Sequence, residues 1–164
     1  LSSFWSDEAV FALSAEGVLK HGYPLLPSNR IYPTSFISSY GLAVSIGIFG
    51  NNEFAARLPS VLFGAASVFL VYFLGKRISN IGLGLLSSII LAFSPFEIVW
   101  SREARSYAEF QFFSLLFAYQ SYRYYLVGNE KARVPLIVSF LFALCSHILS
   151  CLLIAGLYFQ ILVT

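Results

Sequence analysis

Long apolar segments with very few charges limit most strongly what this chain can fold into. Three of them, residues 55–75, 81–100 and 106–126, carry one or two charges each. Each is close to the roughly 20 residues that a helix needs to cross about 30 Å of hydrocarbon. Only 11% of the 164 residues are charged, whereas a soluble domain has about 25%. The pattern predicts an all-α, polytopic integral membrane protein.

A fourth apolar run covers residues 134–164 and has 31 residues, with no charge except a possible one at His147. That length exceeds one straight span, so the run is either one tilted helix or two short helices that break near His147 and Ser150. We therefore expect residues 55–164 to form a transmembrane bundle of about four or five segments. The less hydrophobic residues 1–54 form a separate region before it.

The region before the spans predicts two helices of its own. The first covers residues 6–22 and has the amphipathic pattern of a helix that lies on the bilayer surface. Its polar stripe repeats every four residues: Glu8, Ala12, Glu16 and Lys20. Asp7 points with the opposite, apolar side, so its carboxylate is either buried against protein or directed into a cavity. The second helix, residues 34–49, is apolar and short for a span.

The order of the predicted spans decides which polar segments share a face of the membrane. Counting crossings places Asp7, Arg57 and the "SREARS" segment at residues 101–106 on one face. The "GKRISN" and "GNEKAR" turns lie on the other face. His147, roughly 20 Å into its run at 1.5 Å per residue, lies towards the "SREARS" face. Each face carries five lysines and arginines, so the positive-inside rule leaves the absolute orientation open.

Three sets of polar residues each allow two interpretations. Asp7 and Glu8 in a first helical turn offset the helix dipole by a few tenths to about 1 kcal/mol, or one of them is a general base for a hydroxyl group. Arg102 and Arg105, at i and i+3 on one predicted helix face, form a solvated turn with Glu109 or bind a phosphate. His147 is a functional group or is satisfied by a serine or carbonyl hydrogen bond.

Several classes of partner are excluded by the same residues. The net charge of +2 and the lack of a basic tract argue against nucleic acid. The histidines and carboxylates are too far apart for metal-ligand spacing, so we expect neither a metal site nor a cofactor.

Four pieces of the sequence carry a resemblance to a known family. In order they are "FWSDEA", "NNEFAARLPSVLFGAASVFLVYFLGKRI", "SPFEIVWSREARSYAEF" and "LCSHILS". Their order and topology resemble the polyprenol-phosphate-sugar-dependent membrane glycosyltransferases of the GT-C fold. These are the relatives of protein O-mannosyltransferases and aminoarabinose transferases. The likeness implies that "LSSFW" ends a missing first span, so we expect an N-terminal fragment of a longer protein.

The resemblance also implies a function and its residues. The Asp-Glu pair matches the essential acid of the family's first extracytoplasmic loop, so Asp7, with Glu8, is expected to be catalytic. Arg102, Arg105, Tyr107 and His147 match positions expected to bind the donor phosphate. Glu97 departs from the residue expected at its place in "SPFEIVW", which is often apolar or His.

The expected activity is an inverting transfer of a sugar from a polyprenyl-phosphate donor to a hydroxyl group of a protein, lipid or glycan acceptor. The resemblance places the site on the extracytoplasmic side of the plasma membrane. Two other classes stay open from the residues themselves. One is a transporter or flippase of lipid-linked sugars, and the other is a non-catalytic membrane subunit.

Overall fold

The computed structural model describes residues 6–33, 35–153 and 156. These residues form α-helices joined by turns, with short π and 3₁₀ turns and one isolated antiparallel bridge between Leu25 and Ile31. The expectation of an all-helical fold is therefore confirmed for the described residues. The helices are α1 Ser6–His21, α2 Phe36–Phe49, α3 Glu53–Ile78, α4 Ile81–Ala92, α5 Pro95–Arg102, α6 Tyr107–Ser121 and α7 Arg133–Ser146.

α3 contains the first predicted span and extends it at both ends. Its first turn is capped by Asn52, whose side chain accepts the Ala55 N–H at 2.9 Å, as preferred at helix N-termini. Of the helices that the structure describes, α3 alone is long and apolar enough to cross a membrane by itself. Its 26 residues correspond to roughly 39 Å at 1.5 Å per residue, enough to cross the hydrocarbon core.

The second predicted span is not one straight helix, so that prediction was wrong in form. α4 and α5 meet at a bend of 60° around Phe93 and Ser94, and they qualify as one membrane span only when taken together. The cause is Pro95, which cannot donate a helical hydrogen bond and disfavours helical geometry at the residue before it. Ser94 is accordingly extended, with φ −65° and ψ 128°.

The third and fourth predicted segments differ in continuity. α6 continues into a π-helical turn, Tyr122–Leu126, and together they cover all but the first residue of the predicted segment 106–126. In the fourth run α7 ends at Ser146, His147 is extended, and a 3₁₀ turn follows at Ile148–Ser150. The alternative with a break near His147 is thus confirmed as far as residue 153. The remainder of that prediction lies outside the described residues.

α3 and α4 pack closely because glycines face each other where they meet. A Cβ atom on Gly75 would lie 2.9 Å from the Gly84 Cα. A Cβ atom on Gly84 would lie 2.6 Å from the Tyr72 carbonyl oxygen. Small residues of this kind let helix backbones approach each other in membranes.

α2 is fixed to α3 by a hydrogen bond that Pro59 makes available. Pro59 lies inside α3 and has no N–H, so the carbonyl of Ala55, four residues earlier, loses its helical donor. The Ser45 hydroxyl of α2 donates to that carbonyl at 2.6 Å. A buried backbone acceptor is thereby satisfied from the neighbouring helix.

α1 departs from the predicted surface helix. The first half of its polar stripe is covered, since Glu8 is 0% and Ala12 4% exposed. Only the second half, where Lys20 and Glu16 lie 3.6 Å apart, is paired near the surface. The prediction of one continuous polar face was wrong because α1 packs on α2 and also contacts the α5–α6 turn.

The two ends of the bundle each bring together segments that the sequence predicts on one face. At one end the Tyr122 hydroxyl donates to the Arg77 carbonyl at 3.1 Å, which joins the end of α6 to the "GKRISN" turn. At the other end Asp7 pairs with Arg105, and the ring centroids of Tyr107 and His147 lie 5.2 Å apart. This second end holds the candidate site.

Candidate functional site

A cavity of about 390 Å³ opens at the end of the bundle where α1, the α1–α2 linker, the α5–α6 turn and the residue after α7 meet. Its size falls within the usual range of roughly 300–1,000 Å³ for small-molecule sites. The lining residues come from four separate parts of the chain: Asp7, Val10, Phe11, Tyr32, Ser35, Arg105, Ser106, Tyr107 and His147. Four of the six predicted site residues are therefore brought together.

Asp7 is directed into this cavity, one of the two outcomes that its position on α1 allowed. It lies three and four residues before Val10 and Phe11, which line the same cavity. Its Oδ2 atom accepts a hydrogen bond from Arg105 Nη2 at 2.6 Å, across a separation of 98 residues. The Asp7 side chain is 58% exposed, so its carboxylate stays accessible from water.

Arg105 is held by several contacts besides Asp7. Its Nη1 lies 3.4 Å from Glu103 Oε2, and its Nη2 donates to the Tyr107 hydroxyl at 3.4 Å. The guanidinium lies 4.8 Å from the centre of the Tyr107 ring, a cation–π arrangement. Its carbonyl accepts the Ser60 hydroxyl of α3 at 3.3 Å. The guanidinium is thus oriented before any ligand arrives.

Tyr107 and His147 belong to one aromatic stack. Trp100 lies face to face with Tyr107 at 5.4 Å, and His147 follows on Tyr107 at 5.2 Å. The His147 Nδ1 atom accepts the Leu149 N–H at 3.1 Å, which leaves the hydrogen of a neutral imidazole on Nε2. A ring whose Nδ1 atom accepts a hydrogen bond is neutral and donates from Nε2.

Glu8 does not line the cavity, contrary to its expected catalytic role beside Asp7. It is fully buried, and its Oε1 atom accepts the Ala104 N–H at 2.8 Å. Arg57 Nε donates to the same oxygen at 3.3 Å. Adjacent residues on a helix point about 100° apart, so only one of two neighbouring acids faces the cavity. Glu8 instead ties α1 and α3 to the backbone that precedes Arg105.

The prediction that Arg102 and Arg105 share a helix face was wrong. α5 ends at Arg102, and residues 103–106 form the turn before α6. Arg102 is exposed and is not among the cavity residues. Glu109 is not a solvated partner of the arginines either, because it is 2% exposed and accepts a hydrogen bond from the Ser38 hydroxyl.

Sequence reasoning missed Tyr32 and Ser35, which reach the cavity from the linker between α1 and α2. The linker has no hydrophobic period, so its sequence gave no signal for either residue. Glu97, which departs from the family pattern in the sequence, is 5% exposed and accepts hydrogen bonds from Gln111 and Ser101. The bend before Pro95 reorients α5, and Glu97 is the buried residue of that helix.

Comparison with known proteins identifies the family. Residues 34–164 match the family described as dolichyl-phosphate-mannose-protein mannosyltransferase. The chain belongs to this family. Its family resemblance to GT-C glycosyltransferases is thereby confirmed. The general activity of the family is that of a mannosyltransferase-like glycosyltransferase. The proteins of the family are embedded in membranes.

A relative from Aquifex aeolicus (strain VF5), an uncharacterized protein, is 33% identical over 132 residues. The match covers 76% of this chain and 26% of the relative, so the chain spans about a quarter of that protein's length. No solved structure matches.

The cavity combines a water-accessible carboxylate with one guanidinium, a phenol and a neutral imidazole. The carboxylate can accept a proton, and the other three can donate hydrogen bonds to an anion. Across residues 6–33, 35–153 and 156, no three His, Cys, Asp or Glu side chains are grouped to hold a metal ion. The groups present fit a group transfer in which the leaving group departs as an anion.

Proposed function

We propose that this protein transfers a sugar from a polyprenyl-phosphate donor to an acceptor hydroxyl, with inversion at the anomeric carbon. The observation that carries the proposal is the meeting of Asp7 and Arg105 in one cavity, at 2.6 Å, in a chain of the mannosyltransferase family. Such a transfer needs a base that takes the proton of the acceptor hydroxyl and a cationic group that binds the donor phosphate.

Arg105, Tyr107 and His147 bind the donor phosphate. Arg105 supplies a permanent positive charge with parallel N–H donors that suit phosphate oxygens. The Tyr107 hydroxyl and the His147 Nε2–H add neutral donors to the same anion. Negative charge grows on the phosphate oxygen as its bond to the sugar breaks. Hydrogen-bond groups already in position therefore stabilise the transition state more than they stabilise the bound polyprenyl-phosphate sugar, and this lowers the barrier.

Asp7 is the general base. The acceptor oxygen loses its proton to the Asp7 carboxylate and forms the new bond to the anomeric carbon. The bond from that carbon to the phosphate oxygen breaks, and polyprenyl phosphate leaves with the bonding electron pair. The leaving phosphate needs no proton, so a single base suffices.

The resting contact between Asp7 and Arg105 implies an exchange of partners. While Arg105 donates to the Asp7 carboxylate, the Oδ2 atom is occupied by that contact and does not face an acceptor hydroxyl. A donor phosphate that takes over Arg105 releases the carboxylate at the moment when an acceptor is needed. Binding of the donor therefore activates the base.

We further propose a multi-pass plasma-membrane protein in which residues 55–164 belong to the transmembrane bundle and residues 1–54 to the first extracytoplasmic loop. The apolar length of α3 and of the bent α4–α5 pair supports this placement, as does membership of a membrane-embedded family. The acceptor, a protein, lipid or glycan, then reaches Asp7 from the extracytoplasmic side. Glu8 acts as a positioning residue in this scheme.

The test uses the full-length protein in membranes with a panel of radiolabelled polyprenyl-phosphate sugars, mannose among them. We expect label to leave the lipid in wild type, to stay on it in Asp7→Asn, and to appear in a product of opposite anomeric configuration. Retained configuration would contradict the inverting mechanism. Donor binding without release by wild type would instead favour the transporter of lipid-linked sugars.

A further inference from the structure

The cavity lining includes hydroxyl groups that have no part in the mechanism above. Asp7 is the base, and Arg105, Tyr107 and His147 bind the phosphate. The linker between α1 and α2 adds Tyr32 and Ser35 to the lining. Among the described residues, neither side-chain hydroxyl has a hydrogen-bond partner, and Ser35 makes no side-chain cap to α2. Both hydroxyls are therefore available to a ligand.

Ser35 has a backbone conformation that its side chain does not favour. Its φ of 66° and ψ of 53° lie in the left-handed region, where a residue with a Cβ atom is strained and glycine is not. Residues held in this way concentrate at functional sites. Ser35 is also only 6% exposed and lines the cavity.

Tyr32 is positioned by an aromatic contact and by the backbone. Its ring meets the edge of Phe11 of α1, with centroids 5.5 Å apart and planes at 77°. Its N–H donates to the Pro24 carbonyl at 2.8 Å, which closes the linker into a compact loop. The half-buried ring therefore presents both an apolar edge and a hydroxyl group at the cavity surface.

The cavity has a water-exposed side at Asp7 and an enclosed side at Ser35. The Asp7 side chain is 58% exposed, so an acceptor from water approaches on the Asp7 side. Ser35 is almost wholly enclosed, so a bulky acceptor does not reach it. The small group that must lie between the base and the phosphate, in the enclosed part, is the sugar being transferred.

We propose that Tyr32 and Ser35 form the sugar subsite of this cavity and select the donor through hydrogen bonds to the hydroxyl groups of a hexose. The proposal rests on the proposed function and deepens it. The hydroxyl groups at the edge of a sugar ring can bond to the hydroxyls of Tyr32 and Ser35. The carbon–hydrogen face of the ring can pack against the aromatic pair of Tyr32 and Phe11.

The test compares two lipids: polyprenyl-phosphate mannose and the matching polyprenyl phosphate without sugar. Their dissociation constants are measured for the full-length wild type, Tyr32→Phe and Ser35→Gly. Tyr32→Phe removes only the hydroxyl. Ser35→Gly removes the hydroxyl and relieves the left-handed backbone, so we expect its thermal stability to equal or exceed that of wild type.

We expect each variant to bind the mannose-bearing lipid roughly five- to tenfold more weakly, the usual effect of one lost neutral hydrogen bond. Binding of the sugar-free lipid should change less than twofold. Unchanged affinity for both lipids, or equal weakening of both, would overturn the subsite. Wild type that binds neither lipid would overturn the proposed function itself.

Discussion

The buried Glu8 carboxylate should matter more for stability than its neighbour Asp7, although the two residues are adjacent acids in one helical turn. Glu8→Ala removes the acceptor of the Ala104 N–H, and hydrogen bonds to charged groups contribute about 1.5–3 kcal/mol. The Arg57 pair adds at most about 1 kcal/mol, because Arg57 is one-third exposed and also lies 3.6 Å from Glu53. Glu8→Ala should therefore lower the free energy of unfolding by about 2–4 kcal/mol.

The matched control is Asp7→Ala, which removes a 58% exposed carboxylate from the same turn. We expect it to cost less than about 1 kcal/mol, as exposed ion pairs do. Glu8→Gln should lie between the two alanine variants, because its amide oxygen still accepts the Ala104 N–H without a charge. Reversible unfolding in detergent micelles, followed by tryptophan fluorescence, measures all three. Equal losses for Glu8→Ala and Asp7→Ala would refute the assignment of Glu8 to the packed interior.

Two further predictions concern the site and the bundle. Arg105→Gln should weaken binding of polyprenyl phosphate at least tenfold, since a charge-assisted contact contributes roughly 1.5–3 kcal/mol. The exposed Arg102→Gln should change that binding less than twofold, and similar losses for the two variants would return Arg102 to the phosphate site. Gly75→Ala should cost about 1–3 kcal/mol through overpacking at 2.9 Å, while Gly41→Ala, with open space around it, should be neutral or stabilising by thermal unfolding.

The parts of the fold that depend on length and apolar content could be predicted from the sequence. α3 and α6 follow from runs of about 20 apolar residues. Counting the crossings between them was enough to bring Asp7 and Arg105 to the same end. The 60° bend before Pro95 could also be predicted, because proline disfavours helical geometry at the preceding residue. The continuous apolar run over residues 81–100 instead favoured one straight span, and that prediction was wrong.

The parts that depend on packing could not be predicted. A polar stripe on α1 is typical of a solvated face, but Glu8 is buried because Arg57 and the Ala104 N–H satisfy its carboxylate. Those partners lie 49 and 96 residues away. Tyr32 and Ser35 lie in an irregular linker, whose path is set by contacts with Phe11 and the helix ends rather than by a repeating pattern.

The most direct test of the central claim separates donor binding from transfer in one variant. Asp7→Asn should bind polyprenyl-phosphate mannose at least as tightly as wild type, because Arg105 no longer has a competing carboxylate at 2.6 Å. In single-turnover experiments the same variant should transfer no measurable mannose. Tight binding with no transfer would support a base that is released by the donor phosphate, whereas transfer at the wild-type rate would contradict the role of Asp7.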